Sequence, residues 1–244
     1  RDSVWGALVA VLLTAAIVAL ALWLSQSGMP AGGGMRTEEV AQPLEDLERA
    51  ELTIDPGVGS LVLEALDDSS YLVEGVLALN RGETIDRVFT PQGDKATLTL
   101  RTTSTSFGPF SVGWASQRRW QLGLSPRVSL DLSTSVGVGT TEIDLSGLSV
   151  DTLTVDQGIG QAVVTVPLEG GLRGSIHGAI GQTVVVIPAE AHAHLTLDTG
   201  LAARQLPDDY ECTADVCTSS GYAGADELIK LEVGQAIGNL VVRH

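Results

Sequence analysis

Cationic side chains are scarce in this sequence. Over 244 residues, 14 Lys and Arg stand against 30 Asp and Glu, a net charge of −16. With a pI of about 4.4, no basic stripe exists to neutralise phosphates. That excludes nucleic acid as a partner and disfavours anionic lipid headgroups, while divalent or basic partners suit the charge. Aromatics make up only 4% and Gly reaches 28 residues, a balance that suits tight turns and thin, repetitive β structure. No Asn-x-Ser/Thr sequon occurs, so N-glycans are not expected. His-Glu-x-x-His, Gly-x-Ser-x-Gly and P-loop signatures are all missing. Gly158-Ile-Gly160 lacks the third glycine and the crossover helix of a dinucleotide site. No enzyme activity, cofactor or metal is therefore expected. Charged residues are 18% and hydrophobic ones 44%, which excludes an acidic disordered tail and a coiled coil. The length fits one large β domain or two small ones.

Charge is unevenly placed, for residues 3–27 carry none. Residues 4–24 read VWGALVAVLLTAAIVALALWL, apolar on every side, with Trp5 and Trp23 near the two ends. At ~1.5 Å per residue such a helix is about 31 Å long, enough to cross a bilayer core. The sequence thus predicts a single N-terminal hydrophobic α-helix over residues 1–27. Its packing positions are Val4, Trp5, Leu8, Val11, Leu12, Ala15, Ala16, Val18, Ala19 and Leu22. The sequence opens without Met or a basic leader and has no Ala-x-Ala site behind the apolar run. Two origins are expected: a fragment cut ahead of a membrane helix, or a subunit whose short leader was removed before Arg1. The second pattern resembles type IV-pilin-like subunits. Trp5 stands where bacterial members carry Glu, and the first proline is Pro30, so the resemblance is to archaeal-type pilins and archaellins. It implies a helix that sits in the membrane before assembly and then packs against copies of itself in a filament core.

Residues 28–50 read as a Gly-rich hinge followed by an acidic lead-in, a helical turn or an extended segment. From 51 to 244 the dominant signal is an internal repeat. Gly-Val/Ile-Gly or Ala-Ile-Gly turns end at Gly59, Gly139, Gly160, Gly181 and Gly238. The middle three are 21 residues apart, and a further 21 lands on Ala202. Apolar residues alternate with period two on both sides of each turn, for example Leu153 and Val155 before Gly160, then Val164 and Val166 after it. Two short strands per repeat, each with one buried face, are expected. Such units cannot bury their faces alone, so residues 129–244 are read as a β-solenoid-like stack with parallel, in-register ladders. A meander of hairpins is the alternative. Residues 71–128 fit the period poorly and hold strand candidates near 71–79, 96–101 and 119–124 that cover or widen the stack.

These repeats resemble the toast-rack β domain of Lia-type cell-envelope stress proteins and related adhesin-like proteins. The carrying segments are LTIDPGVGSLVLEAL (52–66), ATLTLR (96–101), LDLSTSVGVGTTEIDLSGL (130–148), LTVDQGIGQAVVTVP (153–167) and LEVGQAIGNLVV (231–242). The resemblance implies an extracytoplasmic scaffold or sensor domain without catalytic residues. The fold class expected is mainly β: one N-terminal helix, then a toast-rack domain of stacked two-strand repeats.

Four positions before the turn glycine stand Ser135, Asp156, His177 and Asp198. In sequential stacking these make an outward Asp156–His177–Asp198 surface ladder whose carboxylates favour the protonated imidazole. His192 and His194 share a strand face and are expected to be ordinary exposed residues. Cys212 and Cys217 lie in an insertion between the last two repeats, where a disulfide would pin an acidic loop on the extracytoplasmic side. Taken together, the sequence predicts a cell-surface filament subunit that self-assembles through its N-terminal helix. The alternative is a single-pass, membrane-anchored toast-rack protein for envelope-stress sensing or adhesion.

Overall fold

The computed structural model describes residues 35–67, 69–80, 82–104, 118–168, 170–222 and 228–244. They belong to a compact unit, Met35–His244. Thirteen strands and no helix occur among the described residues. No helix there is long and apolar enough to cross a membrane. The expected mixture of a helix and a β domain is thereby corrected to an all-β fold. The helix predicted over residues 1–27, with its packing positions, lies outside the described residues. The acidic lead-in from Met35 onward is extended and part of the β unit, since Met35–Pro43 forms β1.

Six long strands make the stack: β2 (Arg49–Ala65), β7 (Ser129–Asp144), β8 (Ser149–Thr165), β9 (Arg173–Val186), β10 (Ala193–Gln205) and β13 (Ile229–Arg243). All five contacts among them are parallel, in the order β2-β7-β8-β9-β13-β10. A hairpin meander would need antiparallel pairs, so the stacked arrangement holds. The anticipated pair of short strands per repeat is instead one long strand bent in its middle. The bend lies at a ladder of direct partners, Gly59, Gly139, Gly160, Gly181 and Gly238, with φ between +124° and +149°. At Gly160 a Cβ would press into the carbonyl oxygen of Gly139 one strand away. Only glycine meets both the positive φ and the close approach. In β7 the buried positions are Leu130, Leu132, Thr134 and Val136 before the bend, then Thr141 and Ile143 after it. The alternation changes phase at the corner, so both halves of the strand turn a face to the same core.

That core is aliphatic. Leu52, Leu132, Leu153, Leu231 and Leu195 line the first halves; Leu63, Ile143, Val164, Val185 and Val242 line the second halves. Each fully buried side chain of this size contributes ~1.5–3 kcal/mol.

The irregular region completes one more layer. β5 (Lys95–Ser104) lies parallel to the first half of β2, from Arg49↔Lys95 to Asp55↔Arg101. β6 (Arg119–Leu124) lies parallel to its second half, from Ser60↔Arg119 to Ala65↔Leu124. Lys95 and Arg119 are 24 positions apart in the sequence, against 11 between their partners Arg49 and Ser60. β4 (Glu83–Gln92) pairs antiparallel with β5, β3 (Tyr71–Asn80) with β6, and β1 with β3, closing that end of the stack. Trp120 on β6 is the largest fully buried side chain.

At the other end the strand order departs from sequence order. β13 enters between β9 and β10, displacing β10 to the edge. The cause is legible in burial: Leu231, Val233, Leu240 and Val242 are buried in β13, whereas the second half of β10 leaves Leu201 82% exposed. The strand with apolar alternation on both sides of the bend takes the interior place.

Candidate functional site

Outward-facing rows of the stack hold the candidate site. His177 on β9 has Asp156 on β8 as one direct neighbour and Gly234 on β13 as the other; Asp198 is the next strand's partner of Gly234. The expected Asp156–His177–Asp198 ladder is therefore broken by the inserted strand. His177 Nδ1 lies 3.9 Å from Asp156 Oδ1, and Nε2 lies 3.8 Å from Glu232 Oε1. Gly234 permits this, because a Cβ there would stand 2.6 Å from His177 Cδ2. Among the described residues no group of three or more His, Cys, Asp or Glu is placed to hold a metal ion.

His192 and His194 are half-buried rather than exposed. His192 Nδ1 lies 3.1 Å from the Ser220 carbonyl oxygen, and the His194 ring tilts against Tyr222 at 5.3 Å between centroids.

The cysteines form a disulfide, Sγ–Sγ 2.09 Å, across β11 (Tyr210–Thr213) and β12 (Val216–Ser219). Far from being a solvated loop, this hairpin continues the sheet. β12 pairs antiparallel with β10 from His194↔Thr218 to Thr196↔Val216, and Cys217 is buried. The staple thus caps the first half of an edge strand that would otherwise present unpaired backbone groups. Behind it, Asp209 Oδ1 lies 3.0 Å from His244 Nε2, and His244 Nδ1 lies 3.0 Å from the Ile187 carbonyl oxygen. Both ring nitrogens face acceptors, which suits the doubly protonated ring. The Asp209 carboxylate holds the His244 pKa above its ordinary value, and its own pKa is lowered in return. Burial, with Asp209 adding to it, pushes the Tyr210 phenol up to about 12.

The feature that sequence reasoning missed lies at the corner itself. The residue just ahead of each corner glycine is Val58, Val138, Ile159, Ile180 or Ile237, and Leu201 occupies the place on β10; these six are consecutive ladder partners. Ile159 is 50% exposed, Ile180 40% and Ile237 44%. Buried glutamines hold the corner from within. Gln157 accepts from Thr141 Oγ1 at 2.7 Å and donates to the Ile159 carbonyl at 3.2 Å. Gln235 likewise accepts from Thr183 Oγ1 at 2.7 Å and donates to the Ile237 carbonyl at 2.8 Å. A shallow groove of about 440 Å³ runs beside the ridge, floored by Gly137, Gly158 and Gly178 and bordered by Asp156 and His177. The signal that could have found this row was the Val/Ile recurring inside each Gly-x-Gly turn.

Parallel coils bent at a glycine ladder, closed by antiparallel strands at both ends, define an all-β repeat scaffold of the stacked type. The chain belongs to the toast_rack family: the family model described as "N-terminal domain of toast_rack, DUF2154" matches residues 31–201. The fold is similar to that of a "putative cell adhesion protein" from Clostridium sporogenes, at 15% identity and a TM-score of 0.77, covering 86% of this chain and 99% of that one. A "putative adhesin" from Bacteroides fragilis matches at 10% identity and TM-score 0.26, over 86% of this chain and 97% of that one. One from Parabacteroides distasonis matches at 12% and 0.26, over 87% and 98%. No curated protein matches the chain.

Proposed function

We propose that this chain is a non-catalytic binding domain on the extracytoplasmic side of the cell, used for adhesion. The observation that carries the compartment is the Cys212–Cys217 disulfide stapling the capping hairpin, since structural disulfides persist in oxidising environments. The binding role draws support from the repeated outward rows and from the name carried by the Clostridium protein of like fold. The filament-subunit expectation, with its self-assembly through N-terminal helices, draws no support from the family or the solved structures. Envelope-stress sensing, the other use implied by the toast-rack resemblance, has no specific residue in its favour.

The test is made on intact cells that produce the chain. A membrane-impermeant amine reagent should label the exposed Lys95 and Lys230 without lysis. Cells lacking the chain should adhere less than those carrying it. Labelling that appears only after lysis overturns the reading.

A further inference from the structure

The corner ridge is aliphatic although the fold does not require it to be. Immediately beyond the glycine ladder, the row Ser60, Thr140, Gln161, Gln182 and Asn239 keeps the same register with polar side chains. The bend therefore accommodates polar residues. β-Branched residues suit strands, but threonine would serve that preference equally, and none stands in the ridge. Single exposed aliphatics are ordinary. Here Ile159, Ile180, Ile237 and Leu201 are exposed and Val58 and Val138 half-buried, and the six in register, at ~4.8 Å per strand, make one stripe about 24 Å long. A contiguous apolar stripe of this kind marks an interaction surface.

The surroundings of the stripe select its partner. On the first-half side, beyond Gly137, Gly158 and Gly200, the row of Asp156 and Asp198 is followed two positions further by Glu232, and β2 contributes Asp55; on the other side lies Glu142. Among the neighbouring groups able to carry positive charge, Arg101 is paired with Asp55 at 3.2 Å and His177 sits between Asp156 and Glu232. Arg119 and Arg204 stand at opposite ends of the ridge, and Arg204 is bound to Asp215 at 2.7 Å. The middle of the ridge is therefore an apolar line in an acidic border.

We infer that the ridge Val58–Val138–Ile159–Ile180–Ile237–Leu201, with the glycine-floored groove beside it, docks a polypeptide segment presenting aliphatic side chains flanked by lysine or arginine. This rests on the reading of the chain as a surface binding domain and supplies the chemistry of its partner. A second copy would bring two acidic borders together on molecules of charge −16, and an anionic lipid surface meets the same repulsion.

The probe is a fluorescent fourteen-residue peptide of alternating leucine and lysine, titrated against the full chain in non-ionic detergent. Binding in the micromolar range is expected, weakening as salt is raised. Ile159→Thr with Ile180→Thr should weaken it about tenfold or more without altering the melting temperature, because these side chains are outside the core. Asp156→Asn with Glu232→Gln, near-isosteric surface changes, should weaken it about threefold and flatten the salt dependence. Alternating leucine–glutamate and serine–lysine peptides should bind about tenfold more weakly. The inference is overturned if the Thr variant binds as tightly as the parent, if the glutamate peptide matches the lysine one, or if no binding occurs at about 100 µM. A dimer in sedimentation that the Thr variant abolishes would assign the ridge to a second copy. Ridge-dependent flotation with phosphatidylcholine vesicles would assign it to lipid; either result also overturns the proposal. Intact-cell labelling separates the two levels: labelled cells with an indifferent ridge sink this inference alone, whereas cells labelled only after lysis sink the surface reading.

Discussion

Replacing Gly160 with alanine puts a methyl group where two constraints meet. The residue sits at φ +139°, and its Cβ would press on the Gly139 carbonyl oxygen of the preceding strand. Holding a residue with a side chain in this backbone region costs about 1–3 kcal/mol. Moving the Gly139 carbonyl aside weakens about two ladder hydrogen bonds at ~1 kcal/mol each. The stiffer unfolded chain offsets about 0.4–1 kcal/mol of that. The net expectation is a loss of about 3 kcal/mol, or a fall in Tm of roughly 6–12 °C for a unit of this size. Two controls separate the causes. Gly57 has φ +69° but nothing within 4 Å of its Cβ position, so Gly57→Ala carries only the backbone term, about 1–2 kcal/mol. Ala202, on the edge strand, already holds a methyl group in the same row without positive φ, so Ala202→Gly should cost about 1 kcal/mol or less. Thermal unfolding followed by circular dichroism gives all three values. A Gly160→Ala variant melting within about 2 °C of the parent would refute the reasoning that the corner is held by close glycine stacking.

Other consequences are open to measurement. Glu83 accepts Arg118 Nη2 at 2.6 Å, with side-chain exposures of 5% and 12%, so Glu83→Ala leaves a largely buried guanidinium without its carboxylate. A loss of about 3 kcal/mol is expected in urea unfolding, and a variant with an unchanged midpoint would contradict it. Reducing the Cys212–Cys217 bond frees a five-residue separation worth about 2 kcal/mol of chain entropy. Hydrogen exchange should then rise first in β11, β12 and the first half of β10; uniform protection would show that the staple does not hold this edge. The Asp209–His244 contact makes stability depend on pH in a defined sense. Because the folded pKa of His244 is raised, its contribution is complete below the ordinary value of 6.5 and is lost as pH rises through the higher folded value. The lowered pKa of Asp209 adds stability above its ordinary 3.8, lost as pH falls through the lower folded value. The parent is expected to lose stability as pH rises above 6.5 and the His244→Ala variant to lack that decline; parallel curves would refute the pairing.

Where a residue type answers a constraint that only it can meet, the sequence is readable. Gly139, Gly160 and Gly181 recur at 21 residues because each must adopt positive φ beneath its neighbour's carbonyl, and that period alone announces a stack. The spatial order of the strands is another matter. Nothing local in Leu231 or Val233 states that β13 lies beside β9; that follows from a comparison between strands, in which the exposed tail of β10 makes it the poorer interior element. The surface ladder fails for this reason: counting repeats in chain order puts Asp198 beside His177, whereas the inserted strand puts Gly234 there. The layer built from β5 and β6 escapes the repeat for a related cause. Its halves keep the register of Arg49↔Lys95 and Ser60↔Arg119, but the 24 positions from Lys95 to Arg119, against 11 from Arg49 to Ser60, hide the period in the sequence. The ridge is concealed differently, because a recurring Val or Ile in an alternating pattern usually points inward. At the corner the alternation changes phase, and the residue at the point of change belongs to neither buried face. An aliphatic side chain placed there is left facing solvent by the same glycine geometry that turns both halves of the strand towards the core.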